Sequence, residues 1–428
     1  MTTRTYLFAL VDGGGTVPPE LGMVRRLVER GHHVTVLAEA SMIPDVAATG
    51  AEHLPWTAAP NRASRLPEDA YYRDWECRNP FELFRMLLDH QFIGPAPGYA
   101  RDTAAAIDTV RPDLVVCSFF AIGAMVAAQA RGVRFDVPFP NAYLLPVDGM
   151  PPACLGLMPA RGPLTRLRDR IIGRVTLRQW NKGVPRLNAL REVYGLPPVA
   201  EFFDQVHLAR RHLVLTSREF DFPAQMPDHV RYVGAVLDDP DWATTTWTPP
   251  AGDEPLVLVA LSSTFQDQTA CLQRVIDALA ELPVRGFVTT GPAIDPSALT
   301  APDNVTVVAA APHSAILPHA SAVITHAGHG TVVRALAAGT PILALPHGRD
   351  QPDNAIRVSA RGAGITLSRK ASRRKIATAT RRLLADPAYA ESAERLGSII
   401  VRDSRTDAVI AELEELELPD GSAARPII

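Results

Sequence analysis

Apolar residues in this chain fall in short β-branched runs, each followed by a stretch where they recur at helical spacing. That alternation is the signature of parallel sheets covered by helices. Residues 5–11 read as the first strand and 12–19 as a turn. Residues 20–30 then set Leu21, Val24, Leu27 and Val28 on one stripe, and 34–38 form the next strand, which completes a βαβ unit. Further strands are predicted at 114–117 and 212–216, and a second series at 256–261, 284–289, 305–308, 322–325 and 342–345. Between the two series, residues 237–254 hold Asp238, Asp239, Pro240, three consecutive threonines, Pro249, Pro250 and Gly252, the composition of a linker. The pattern therefore predicts an α/β protein of two doubly wound domains: 1–236, the linker 237–254, and 255–400. Residues 401–428 form a C-terminal helix and tail that could return to the first domain. No short-period repeat is present.

Composition agrees. A chain of 428 residues exceeds what one hydrophobic core serves, and 47% apolar residues supply two cores. A net charge of −3 argues against nucleic acid as the partner, since binding to a phosphate backbone needs a basic face. The one basic run, Arg369, Lys370, Arg373, Arg374, Lys375, Arg381 and Arg382, reads as the wet side of a helix whose apolar side holds Ile376, Leu383 and Leu384. Cys77, Cys117, Cys154 and Cys271 lack the spacing of a zinc site or a disulfide framework, so a reducing, cytoplasmic setting is expected. Residues 6–11 are too short for a secretory leader. Residues 114–130, the longest uncharged stretch, are too short for a bilayer span and read as a buried strand leading into a buried helix.

The chemistry concentrates between residues 322 and 364. A strand runs into His326-Ala327-Gly328-His329-Gly330-Thr331, a helix follows, and Gly339-Thr340-Pro341 ends it. A helix that starts at a Gly-rich turn after a parallel strand aims unpaired N–H groups and the positive end of its dipole at one spot, where small residues admit a phosphate. His326 and Thr331 add side-chain donors. After the next strand, Asp350 and Gln351 face the same crevice at the carboxyl ends of the strands; an acceptor-only carboxylate beside an amide suits a hydroxyl-rich ligand. The Gly13-Gly14-Gly15 run, by contrast, lacks the spacing of a dinucleotide fingerprint.

The order His-x-Gly-x-Gly-Thr, Gly-x-Pro, Pro-x-x-x-Asp-Gln over His326–Asn354, together with Pro312 to His319 upstream, resembles the donor-binding segment of the family 1 glycosyltransferases, which are inverting and metal-independent. The resemblance covers most of the second half and implies the B-type glycosyltransferase fold, with donor on the C-terminal domain and acceptor on the N-terminal one. It implies that His326 contacts the donor diphosphate and that the amides of Gly328, His329, Gly330 and Thr331 cradle it. Asp350 and Gln351 would bind the sugar hydroxyls, Ser262 and Ser263 would line the same cleft, and Ala310, Pro312 and His313 would lie on the nucleobase side. Two departures bear on the donor. Ala310 stands where plant members carry a base-stacking Trp, and Arg334 where users of UDP-sugars carry a ribose-binding Glu, which brings dTDP forward beside UDP.

Inverting transfer needs a base for the acceptor proton. Many relatives place a His in the opening turn and orient it with an Asp on a later strand; here Thr16 occupies the histidine's place, and Cys117 and Ser118 stand where the Asp is sought. Asp12 is the first candidate base, provided burial raises its pKa, and Asp148 is another. An acidic phenol or electron-rich aromatic carbon as acceptor would lessen the need. Residues 55–98, rich in Trp56, Tyr71, Tyr72, Trp75, Phe81, Phe84 and Phe92, and residues 141–163 are candidate walls of an apolar acceptor pocket, with half of these aromatics expected in the core. His32, His33, His53 and His90 read as surface or packing residues. The expectation is a sugar transferase, monomer or homodimer, taking a dTDP- or UDP-sugar as co-substrate and a small lipophilic, aromatic or polyketide-type acceptor, with no metal and no other cofactor. An epimerase of the same fold and a non-catalytic auxiliary subunit are the alternatives.

Overall fold

The computed structural model describes residues 2–239, 243 and 247–416; residues 240–242 and 244–246 of the expected linker and 417–428 of the expected tail lie outside them. Two all-parallel sheets account for the described strands. The first comprises β1 (Thr5–Ala9), β2 (His33–Ala38), β3 (Glu52–Pro55), β4 (Leu114–Cys117), β5 (Phe135–Phe139), β6 (Arg211–Val214) and β7 (Val230–Tyr232), in the order β3-β2-β1-β4-β5-β6-β7. The second comprises β8 (Leu256–Ala260), β9 (Arg285–Thr289), β10 (Val305–Val308), β11 (Ala320–Thr325), β12 (Ile342–Ala344) and β13 (Gly364–Thr366), ordered β10-β9-β8-β11-β12-β13.

Alternation along the strands builds a core on each face. Tyr6, Phe8 and Leu10 enter one layer of the first domain while Leu7 and Ala9 enter the other. Leu256 and Leu258 oppose Val257 and Val259 in the same way in the second. Five of the seven residues of the basic run lie on the helix Arg373–Ala385, with Ile376 and Leu383 buried beneath it and Arg373, Arg374 and Lys375 exposed, whereas Arg369 and Lys370 lie in the turn before it and Arg369 reaches the cavity between the domains. Residues 122–130 form the buried helix expected after β4. At the chain's end, the helix Ala408–Glu414 packs Val409, Ile410 and Leu413 into the first domain's core beside Tyr6 and Phe8, and Glu414 bonds Arg30 and His32 there.

Strand order reverses between β1 and β4 in one sheet and between β8 and β11 in the other, and ligands of open parallel sheets lie off the carboxyl ends at such points. The turn after β1 meets the turn after β8 directly. Gly14, at φ +75°, has room for no side chain there: an added Cβ would lie 2.5 Å from Thr264 Cγ2.

Candidate active site

A cavity of about 1030 Å³ opens between the two switch points and takes wall residues from both sheets. On the C-terminal side, β11 delivers His326, Ala327 adopts a left-handed φ of +68°, and Gly328 caps the helix His329–Ala337. The first intrahelical bond is Val332 N–H to Gly328 O at 3.0 Å. The amides of His329, Gly330 and Thr331 thus stand at the cavity wall without a partner inside the helix. Gly328 is required sterically, since a Cβ there would meet His326 Nε2 at 2.5 Å. Burial, with the like charges of His347 and Arg349, pushes His326 down to about 3, so its imidazole is neutral and acts through hydrogen bonds. His329 is pushed down to about 3 and His313 to about 4, again chiefly by burial. The His329 ring packs edge-on against Phe220, leaving its Nε2 buried and unpartnered.

Arg334 lies one turn along this helix, its Nη2 3.5 Å from where a Gly330 Cβ would sit, and it donates to Asp238 O at 2.8 Å. It brings a cation next to the anion-binding amides. Ala310 and His313 line the wall and His313 Nε2 lies 3.1 Å from Thr289 Oγ1, whereas Pro312 is off the wall and starts the short helix His313–Ile316. Both Ser262 and Ser263 line the cavity, but the Ser262 hydroxyl accepts from Gln266 Nε2 at 2.7 Å.

The expected sugar-binding pair divides. Asp350 reaches the cavity, one oxygen held by Asn354 Nδ2 at 2.8 Å, with burial raising its pKa. Gln351 is turned inward: its oxygen accepts from the amides of His347 (2.8 Å) and Gly348 (3.2 Å), and its nitrogen donates to Gln266 (2.8 Å). Only one of its N–H bonds is left for a ligand, so it mainly shapes the loop.

On the N-terminal side, the expectation for Asp12 is overturned. Its carboxylate lies beneath the cavity wall, bonded to Arg65 Nε (2.7 Å), Ser41 Oγ (3.2 Å) and the Gly14 amide (2.9 Å), with Arg62 Nη2 at 3.4 Å. Burial would raise its pKa, but these guanidinium groups outweigh that and hold it below the usual carboxylate range. A carboxylate stabilised as an anion makes a poor base. Raised carboxyls lie elsewhere in this domain: Glu20, in the helix Val17–Glu29, is fully buried beside Ser118 and shifted well above its ordinary value by burial, with the Ser118 hydroxyl opposing the shift and the Asp12 charge adding to it, and Glu39 is raised by burial as well. No sequence signal marks them. Thr16 lines the cavity with its hydroxyl unpartnered, and Asp148 is exposed at the rim.

Aromatic side chains wall the half of the cavity that belongs to the N-terminal domain. Of the seven singled out in sequence, Tyr72, Trp75, Phe84 and Phe92 line the cavity; Trp56 is core, Tyr71 joins the Glu39–Arg62 network, and Phe81 is exposed. The wall also takes Phe119 and Phe120 after β4, Trp180 and Phe203, which no motif marks. Away from the cavity, His207, His212 and His229 bring ring nitrogens within 4.8 Å of one another, but His212 spends both of its nitrogens, on Tyr143 Oη and Val206 O.

Two doubly wound domains with an anion-binding helix facing an aromatic-walled pocket define a glycosyltransferase of the B-type fold. Comparison with known proteins gives the same class. Residues 273–416 match the family described as "Erythromycin biosynthesis protein CIII-like, C-terminal domain". Oleandomycin glycosyltransferase of Streptomyces antibioticus is 30% identical over 98% of this chain and 93% of its own length. The 4'-demethylrebeccamycin synthase of Lentzea aerocolonigenes is 29% identical over 94% and 97%. Among solved structures, the glycosyltransferase of kitacinnamycin superposes with a TM-score of 0.77 at 25% identity (97% and 100% covered). VinC in complex with dTDP superposes at 0.67 with 19% identity (96% and 99% covered). The chain belongs to the family 1 glycosyltransferases, with the enzymes of antibiotic and natural-product pathways.

Proposed function

We propose that the protein transfers a sugar, with inversion and without a metal, from a dTDP- or UDP-sugar to a small lipophilic aromatic acceptor. The observation that carries this is the set of unpaired amides at His329–Thr331, with neutral His326 and the Arg334 cation beside them, opposite an aromatic-lined half of the same cavity. Donors fixed before reaction stabilise negative charge as it builds on the departing diphosphate. The nearby guanidinium group of Arg334 supports metal independence, because it supplies positive charge that a metal ion would otherwise bring, whereas that of Arg349 is matched by Asp74. The absence of a carboxylate at position 334, and the dTDP complex of VinC, favour dTDP over UDP.

The acceptor end supports an acidic nucleophile. Thr16 cannot take a proton at neutral pH, and Asp12 is committed to its arginines. A phenol gives up its proton with far less help than an aliphatic alcohol. Incubating the protein with radiolabelled dTDP- and UDP-sugars and a panel of planar aromatic acceptors tests the reading. A labelled conjugate of inverted anomeric configuration, formed in the presence of EDTA, is expected; an altered free sugar nucleotide, or nucleotide binding with no product, would replace it by an epimerase or an auxiliary subunit.

A further inference from the structure

The helix Gln351–Ala360 begins at the Asp350 loop and carries Asp353 and Arg357 on one face, with Arg349 in the loop before it and Arg361 at its C-cap, and all four meet the N-terminal domain. Arg349 pairs with Asp74 at 2.7 Å, and Arg361 donates to the carbonyls of Glu219 (2.7 Å) and Asp221 (2.5 Å). The two residues between them hold the acceptor wall. Asp353 receives three successive backbone N–H groups, from Cys154 (2.6 Å), Leu155 (3.1 Å) and Gly156 (2.8 Å). Arg357 pairs with Asp221 at 2.7 Å, and Asp221 in turn accepts the Tyr143 amide at 3.2 Å. The wall segment from Tyr143 to Cys154, which lines the cavity, is therefore fastened near both ends to the helix that starts the sugar loop.

The capture by Asp353 is a built feature. Cys154 and Gly156 take left-handed φ values of +65° and +62°, which turns the consecutive amides inward around the carboxylate, and a Cβ on Gly156 would lie 3.0 Å from Pro352. Such a conformation costs energy at a cysteine and persists only where its surroundings fix it. Asp353 is buried at the cavity wall, and both of its carboxylate oxygens are engaged by the amides of the loop.

We propose that Asp353 is a positioning residue for the acceptor: by clamping Cys154–Gly156 to the donor-sugar helix, it sets the distance and angle at which the wall 143–154 presents the acceptor to the sugar. The proposal rests on the sugar-site reading of the Asp350 loop. In the full-length protein, Asp353→Ala frees three amides while leaving the His326–Thr331 loop intact. Hydrogen exchange at residues 154–156 should then accelerate by about tenfold or more, while dTDP binding measured by calorimetry stays within about twofold. Arg361→Ala, which touches the first domain elsewhere, should leave exchange at 154–156 unchanged. With any aromatic acceptor that the wild type glycosylates, KM for the acceptor should rise about tenfold with donor KM nearly constant. Asp353→Asn is the gentler variant, keeping one acceptor oxygen but turning an amide nitrogen towards Cys154 N–H; it should loosen Cys154 more than Gly156. Unchanged exchange in both Asp353 variants, or donor and acceptor KM rising together, would overturn the proposal. If no acceptor on the panel is glycosylated, the exchange and calorimetry results still decide whether the clamp exists, and the failure falls on the proposed function alone.

Discussion

The imidazole of His326 shows how far one residue's surroundings decide its chemistry. With its pKa pushed down to about 3 it is neutral, and His329 and His313 are depressed with it. All three take up protons more readily in the unfolded chain, near the ordinary value of 6.5. The stability these three contribute should therefore be full above about pH 7 and be lost as pH drops from about 6.5 towards 4, which thermal melts of the wild type and a His313→Ala variant across that range would check by difference. A bound diphosphate opposes the depression, so dTDP binding should draw in protons below pH 7; calorimetry in buffers of different ionisation enthalpy measures this, and a buffer-independent heat would refute it. Gly328→Ala should displace the His326 ring and weaken dTDP binding by roughly 1–2 kcal/mol, with little change in melting temperature. His326 and Gly328 were legible in sequence because a turn between strand and helix fixes their neighbours locally. The setting of Asp12 was not legible because its partners Arg62 and Arg65 lie some fifty residues away in an irregular segment, and the inward bonds of Gln351 were not because they depend on Gln266, off another strand.

Among elements, the long, apolar strands near the sheet centres stand close to where periodicity puts them, and the misses have physical causes. β3, β7 and β13 are short and lie at sheet edges, where little burial is needed and polar residues such as Glu52, Arg231 and Thr366 suffice. β5 is central yet carries Asp136 and Pro138, which argue against a strand in sequence. Pairing rescues it: Asp136 is fully buried against Arg210, at 2.5 Å and 3.0 Å, and its carboxyl is still raised to about 6 by burial. Arg210→Ala should leave that carboxyl uncompensated and cost roughly 3–5 kcal/mol in denaturant unfolding, with part of the loss recovered as pH falls, because without the guanidinium Asp136 takes up its proton at a higher pH than in the wild type. An equal loss at all pH values would show that packing rather than charge is responsible.

At the scale of the molecule, the domains are joined by more than the segment between the sheets. The last described helix crosses back to bury Val409, Ile410 and Leu413 in the first domain, about 1.5–3 kcal/mol of apolar burial apiece. Ending the chain after Ser404 should therefore lower the melting transition of the first domain selectively, read by near-ultraviolet circular dichroism, while dTDP binding to the second domain persists. Two-domain character was visible in sequence from chain length and the break before residue 255; that final crossing was visible only as an option, since its partners lie four hundred residues earlier. The face bearing Arg349, Asp353, Arg357 and Arg361 also bears on enzyme engineering. Halves exchanged between relatives to combine one donor preference with another aglycone range would inherit a seam whose charges and amides were fitted to a different mate. A productive hybrid should move Asp74, the 154–156 turn and Asp221 together with the helix they grip.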